Sequence, residues 1–208
     1  MLTKSLIILA VAFGLSQAQM VKQCTCSEVE PCKKGYVDSV IPCADSCQEH
    51  AAALGANYQQ LRQCLMQKEP MLRAAMSCTE GNLRDACAAS PGQMVPKRYP
   101  ETLKIAAMSE INRMLSRAGI ASQAKGLLSQ GKKLYGCMKT CMDKKSGQCA
   151  KKLGCGLKLP SDSQLVQQAK QCAIQSGFNT QSVQQLCHCA QQSGIGALNG
   201  LCEKIVIS

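Results

Sequence analysis

The sequence predicts an all-α fold: a disulfide-rich helical protein built as two disulfide-stapled helical halves. Three observations carry this. The 208 residues contain sixteen cysteines, an even number, and an even, dense set of cysteines in an exported chain reads as a framework of bridges. Apolar residues recur at three- and four-residue steps between glycine and proline punctuators, the mark of amphipathic helices. No run alternates apolar and polar residues for long enough to read as a strand. The framework also has a reason. There is no tryptophan, and beyond residue 18 the aromatics are Tyr36, Tyr58, Tyr99, Tyr135 and Phe178. Large rings give the most burial per residue, so a core of Ala, Leu, Met and Val needs bridges worth roughly 2–4 kcal/mol each.

Residues 1–18 read as a signal peptide. Lys4 is the basic start, residues 5–15 are the apolar core, and Ser16 and Ala18 are the small residues before a cut after Ala18. The apolar run is too short for a membrane span. Removing Lys4 takes the net charge from +11 to +10, so export and a basic surface are expected together. There is no Asn-x-Ser/Thr acceptor for N-glycosylation.

The elements follow in order. Residues 24–32 crowd Cys24, Cys26 and Cys32 around Pro31 and read as a stapled coil. Residues 36–54 place Val37, Val40, Ile41, Cys47 and Ala51 on one helix side, with a kink or a restart at Pro42 and a stop at Gly55. Asn57 caps a helix running to about residue 68. Pro70 suits the first position of a further helix to about residue 78, and residues 82–88 read as a short fourth one. Residues 90–100 hold three prolines, one glycine and no cysteine, the composition of a surface linker. Residues 101–118 carry Leu103, Ala107, Ile111, Met114 and Leu115 on one face, ended by Gly119. A basic helix follows, then a Gly- and Lys-rich loop at 147–159. Ser161 and Gln164 form a capping box for a helix stopped by Gly177. Thr180 is expected to cap the next, and Gly194, Gly196 and Gly200 break up the tail.

The cysteines divide eight and eight around a cysteine-free gap from Ala88 to Gly136. This sets the domains: an N-terminal half at 19–89, the linker at 90–100 and a C-terminal half at 101–208. Each half has one Cys-x-x-x-Cys, Cys43/Cys47 and Cys137/Cys141. Two cysteines four apart share a helix face. Two antiparallel helices can therefore be bolted as Cys43–Cys141 and Cys47–Cys137, or the same geometry can recur inside each half. All sixteen are expected in disulfides: besides those four, Cys24, Cys26, Cys32, Cys64, Cys78, Cys87, Cys149, Cys155, Cys172, Cys187, Cys189 and Cys202.

The main chemical signal is charge. Residues 125–158 hold Lys125, Lys132, Lys133, Lys139, Lys144, Lys145, Lys151, Lys152 and Lys158 against one acid, Asp143. On a helix, Lys125, Lys132 and Lys139 repeat every seven residues and form one stripe. Gly126, Gly131 and Gly136 oppose that helix by about 1 kcal/mol each. Clustered ammonium groups in an exported protein point to an anionic glycan or another extracellular polyanion. The plain alternative is a solvated face.

Other chemistry finds less support. Two histidines, His50 and His188, leave little for acid–base work beyond a pair such as Asp45 with His50. No Gly-x-Ser-x-Gly or His-Glu-x-x-His occurs, so no catalytic residue and no cofactor is assigned. Cys187-His188-Cys189 lacks zinc spacing, and no metal is expected. The export signal and the lack of stacking aromatics argue against nucleic acid. Ser193-Gly194-Ile195-Gly196 has the Ser-Gly-x-Gly form of glycan attachment, without the usual acidic neighbours. Lys97-Arg98 is a dibasic pair flanked by prolines, read as an uncut exposed turn. A lipid-binding or membrane-surface role, through faces around Met108, Met114, Leu115, Met138 and Met142, is the alternative function.

The segments Ile41-Pro42-Cys43-Ala44-Asp45-Ser46-Cys47, Pro96-Lys97-Arg98-Tyr99-Pro100-Glu101-Thr102, Gly136-Cys137-Met138-Lys139-Thr140-Cys141 and Lys152-Leu153-Gly154-Cys155-Gly156 carry a resemblance. With the cysteine spacing from Cys24 to Cys202, the chain resembles a group of small secreted helical nematode proteins. It is similar to the domain named after a nematode chondroitin proteoglycan. The resemblance implies an extracellular matrix or eggshell setting. It marks a scaffold and carries over no functional residue.

Overall fold

The computed structural model describes residues 19–207 apart from 148, 150 and 151. The signal-peptide reading and Lys151 lie outside the described residues. The fold is all-α and held by eight disulfides that pair every cysteine. Six of them join the N-terminal half to the C-terminal half. Helix α1 (Cys26–Ser46) lies antiparallel to the run through α6 (Lys132–Met142). The bridges there are Cys47–Cys137, Cys43–Cys141, Cys32–Cys149 and Cys24–Cys155, with one strand of the ladder rising in number as the other falls. Helix α3 (Tyr58–Gly81) is clamped in the same sense to α7 (Asp162–Gln175) by Cys78–Cys172 and to α8 (Thr180–Gln192) by Cys64–Cys189. Only Cys26–Cys87 and Cys187–Cys202 stay within a half. The cross-half version of the four-apart pairing, Cys43–Cys141 and Cys47–Cys137, is therefore the one formed.

Several elements differ from the sequence reading. Residues 24–32 are not a coil. Thr25 and Glu28 form a capping box, which starts α1 at Cys26 and satisfies two orphan donors. Hydrogen bonding to Thr25 holds the Glu28 carboxyl below its usual range. Pro31 and Pro42 both lie inside α1. A proline costs a helix interior about 3 kcal/mol, and here Cys32 and Cys43 are covalently anchored immediately after each one. The break falls instead at Cys47, before the short α2 (Gln48–Ala52).

Asn57 caps α3 as expected, accepting from the Gln60 amide at 3.2 Å. Pro70 does not open a new helix; α3 runs through it to Gly81. Residues 82–88 are turns rather than a helix. Their backbone is drawn to the N-terminal segment: the Cys26 amide donates to Ala88 at 3.0 Å and the Ala88 amide to Cys24 at 2.9 Å. The buried Gln23 side chain also donates to the carbonyls of Asp85 and Ala86. Nor is 90–100 wholly a surface linker. Strand β2 (Met94–Pro96) pairs antiparallel with β1 (Met20–Lys22), burying Val95. Three residues are too few to show a period of two, so the pair left no trace in the sequence pattern.

Helix α4 (Pro100–Arg117) ends at Gly119, whose φ of +68° is the left-handed stop a glycine supplies. Its expected inner face is only half-buried, and Ile111 is exposed; the one buried residue of α4 is Glu110. The single basic helix resolves into α5 (Ala121–Gln130), α6 and a π-helical turn at Asp143–Gly147, divided at Gly131. The Ser161–Gln164 capping box opens α7. Helix α8 is capped by Asn179, not Thr180. The Thr180 hydroxyl instead accepts from the Ile207 amide at 3.0 Å, tying down the tail.

Sulfur replaces large side chains at the centre: Cys43, Cys47, Cys64, Cys172 and Cys202 are fully buried. A small apolar cluster of Ala51, Ala56, Leu61 and Ile195 completes the core, with Leu127 and Leu134 packed on it. There Gly55 and Gly194 meet backbone to backbone, and a Cβ on Gly55 would stand 2.8 Å from the Gly194 carbonyl oxygen.

Candidate anion-binding face and apolar groove

The bolts decide where the lysines point. Cys137 and Cys141 face α1, and at 100° per residue Lys132 and Lys139 lie roughly 180° around α6 from them. Backbone bonding continues through the α5–α6 division: the Gly131 amide donates to Leu127 at 2.8 Å and the Tyr135 amide to Gly131 at 2.9 Å. Lys125, Leu128, Lys132, Tyr135 and Lys139 therefore follow each other at steps of three and four, and all are exposed. The stripe survives the division into two helices, with apolar side chains set between its charges. Tyr135 also receives a charge from elsewhere, since Lys104 of α4 stands 5.5 Å above its ring.

Lys133 is exposed on the flank of α6. Lys144 and Lys145, in the π-helical turn, line a shallow open cleft of about 470 Å³ with His50, Gly136 and Thr140. The acid of the stretch, Asp143, pairs with Lys139, and this hydrogen bond raises the Lys139 ammonium above its usual range. Among the described residues, no carboxylate pairs with Lys125, Lys132, Lys133, Lys144 or Lys145. Lys152 and Lys158 are exposed too, but they flank Cys155, which is bridged to Cys24 at the start of α1. They sit at the opposite end of α1 from the Cys43 and Cys47 bolts. Lys104 and His50 were invisible as members of this face, because both come from distant parts of the chain.

A second feature lies on the other flank of α4. A groove of about 240 Å³ runs between α4 and α7, lined by Ala107, Ile111, Met114, Val166, Ala173 and Phe178 among others. Its charged lining residues are Glu110 and Lys170. Glu110 is 6% exposed. The Lys170 ammonium donates to one of its carboxylate oxygens at 3.0 Å; the Gln167 amide, at 3.0 Å, and the Arg113 guanidinium donate to the other. A buried carboxylate needs such partners. A smaller cavity of about 70 Å³ adjoins the groove and shares Ile111, Met114 and Ile207 with it. The methionine and leucine faces do not merge into one cavity: Met114 and Leu115 line these spaces, whereas Met138 and Met142 sit half-buried on α6.

The remaining sequence candidates have structural partners. Asp45 does not pair with His50. Arg62 at 2.7 Å and the Tyr58 hydroxyl at 2.6 Å donate to it, and they hold its carboxyl below the usual range. Burial, then Asp45, pushes the Tyr58 phenol up. Cys187 and Cys189, on either side of His188, are both in disulfides. Ser193 is 3% exposed and its hydroxyl donates to the Ala190 carbonyl at 2.6 Å, so the Ser-Gly-x-Gly serine is not open to glycan attachment in the folded chain. Lys97 lies 5.6 Å above the Tyr99 ring, and Arg98 is held by the Pro160 carbonyl and Asp162. Among the described residues, no helix is long and apolar enough to cross a membrane.

The sequence matches no family model and no curated protein, and the fold matches no solved structure.

Proposed function

We propose that this is a secreted, non-enzymatic protein that binds an extracellular polyanion of glycosaminoglycan type, in a matrix-associated role. The carrying observation is the outward stripe of Lys125, Lys132 and Lys139, flanked by Lys133, Lys144 and Lys145 and joined by Lys104. Among the described residues one carboxylate, Asp143, is ion-paired with it, and Glu101 adds a weaker attraction to Lys139. Ammonium groups held on one rigid face attract sulfate and carboxylate groups through summed potential rather than a single pocket. The disulfide ladder supports an oxidising, extracellular setting. The lipid-carrier reading has less behind it. The groove is smaller than the roughly 300–1,000 Å³ of typical ligand pockets, too small to enclose a long acyl chain.

The test is elution of the oxidised protein from immobilised heparin and chondroitin sulfate against salt. It is run beside a variant carrying Lys132→Gln, Lys133→Gln and Lys139→Gln. Wild type should elute well above about 0.15 M salt, where the Debye length is roughly 8 Å, and the variant near it. Co-elution of both near that salt makes the stripe a solvated face and ends the proposal.

A further inference from the structure

We infer that the groove between α4 and α7 is a binding site for a small anionic amphiphile, an aliphatic carboxylate of short to medium chain. This site is separate from the lysine face and does not depend on it. The walls come from Ala107, Ile111 and Met114 on α4, Val166 and Ala173 on α7, Phe178 and Val183 beyond it, and Ile207 of the tail. Helices that pack fully would close this space. Here Ile111 remains 38% exposed, while the tail that forms one side is pinned by Thr180 and Gln184 through backbone atoms of residues 203–207. Though smaller than most ligand pockets, an apolar concavity with a few convergent polar groups at its edge has the form of a site for a small ligand.

The charge at the groove selects the head group. The Glu110 carboxylate is surrounded by Lys170, Arg113 and Gln167, so the cluster carries a net positive charge. Both carboxylate oxygens are engaged, which leaves little for a cationic ligand to gain. Lys170 gives one of its three N–H donors to Glu110, and an ammonium has no acceptor role. Its other donors suit an incoming carboxylate, in a charge-assisted bond stronger than a neutral one. The volume of about 240 Å³ suits a short tail.

The test is calorimetric titration of the oxidised protein with decanoate, decyltrimethylammonium and acetate. Decanoate should bind one to one, decyltrimethylammonium at least tenfold more weakly, and acetate not measurably. Ala107→Phe and, from the facing wall, Ala173→Leu each fill the groove. Either one, with an unchanged melting temperature, should weaken decanoate at least tenfold. Lys170→Gln should narrow the preference for decanoate over the cation. The Lys132→Gln, Lys133→Gln, Lys139→Gln variant should bind decanoate as wild type does, so this result is read independently of the heparin experiment. The inference is overturned by absent decanoate binding, by equal binding of the cation, or by undiminished binding in both groove-filling variants. Absent binding together with a dimer that Ala107→Phe dissociates also overturns it, and assigns the groove to a second copy of the chain.

Discussion

Removing one of the two bolts between α1 and α6 should cost much less than its sequence span implies. Cys43–Cys141 and Cys47–Cys137 close loops of 98 and 90 residues when each is considered alone. On the chain-entropy account a loop of that size contributes about 4.7 kcal/mol. The two bridges are neighbours, however, and with one in place the other closes a ring of only about eight residues, four from each helix. The same relation gives about 2.5 kcal/mol for that ring. With both gone, the next constraint along α1 is Cys32–Cys149. Restoring one bolt then closes a ring of about 19 to 27 residues, worth roughly 3.2–3.6 kcal/mol. Loss of both should therefore total about 6 kcal/mol, exceeding the sum of the single losses by about 1 kcal/mol. Packing lost with the sulfurs adds to each variant and largely cancels from that excess. The assay is guanidinium unfolding, without reductant, of Cys43→Ala/Cys141→Ala, Cys47→Ala/Cys137→Ala and the fourfold variant. Strictly additive losses near 4.7 kcal/mol per bridge, once packing is allowed for, would refute the nested-ring reasoning.

Two further perturbations address local structure. Gly194→Ala should cost about 3 kcal/mol or more, because its φ of +113° strains any L side chain and the new Cβ overlaps the Gly55 carbonyl oxygen. Gly136→Ala, mid-helix with open space around it, should gain about 0.5–1 kcal/mol; denaturant midpoints with the opposite ordering would contradict the glycine geometry. Asp45 sets an acid dependence. The Arg62 and Tyr58 hydrogen bonds hold its folded carboxyl below the usual aspartate range, so its contribution is full above the unfolded value and is lost as pH falls through the folded one. Asp45→Asn should therefore flatten the fall in melting temperature below about pH 4, and an unchanged acid limb would remove Asp45 from the account.

Local chemistry was legible in the chain, and long-range partnership was not. The caps at Asn57 and Ser161 and the stop at Gly119 were readable because each is decided within four residues. The Cys-x-x-x-Cys pairs gave the face on which two bridges must lie, since the helical period fixes it. The clamp between halves was readable only in part: Cys43–Cys141 and Cys47–Cys137 were one of two versions the spacing allowed, and the other four crossing bridges left no sign, because a cysteine's spacing gives its direction, never its partner. Thr25 and Glu28 were hidden by the prolines and cysteines around them, which read as a coil. On the lysine face, the stripe was present in the linear spacing, but Lys104 reaches Tyr135 only through the packing of α4. The groove has no sequence signature, because Glu110 and Lys170 are 60 residues apart and the helix period marks Glu110 only as polar.

The crossing bridges change what a protease can accomplish at the dibasic pair. A cut after Lys97 or Arg98, or anywhere in 90–100, would sever the one peptide connection between the two halves. Six disulfides would still join the fragments. The nicked molecule would differ in mass from the intact one only by the added water and would run as one species until reduced. Processing at this position would then create new chain ends at the strand pair beside Val95 without releasing either half.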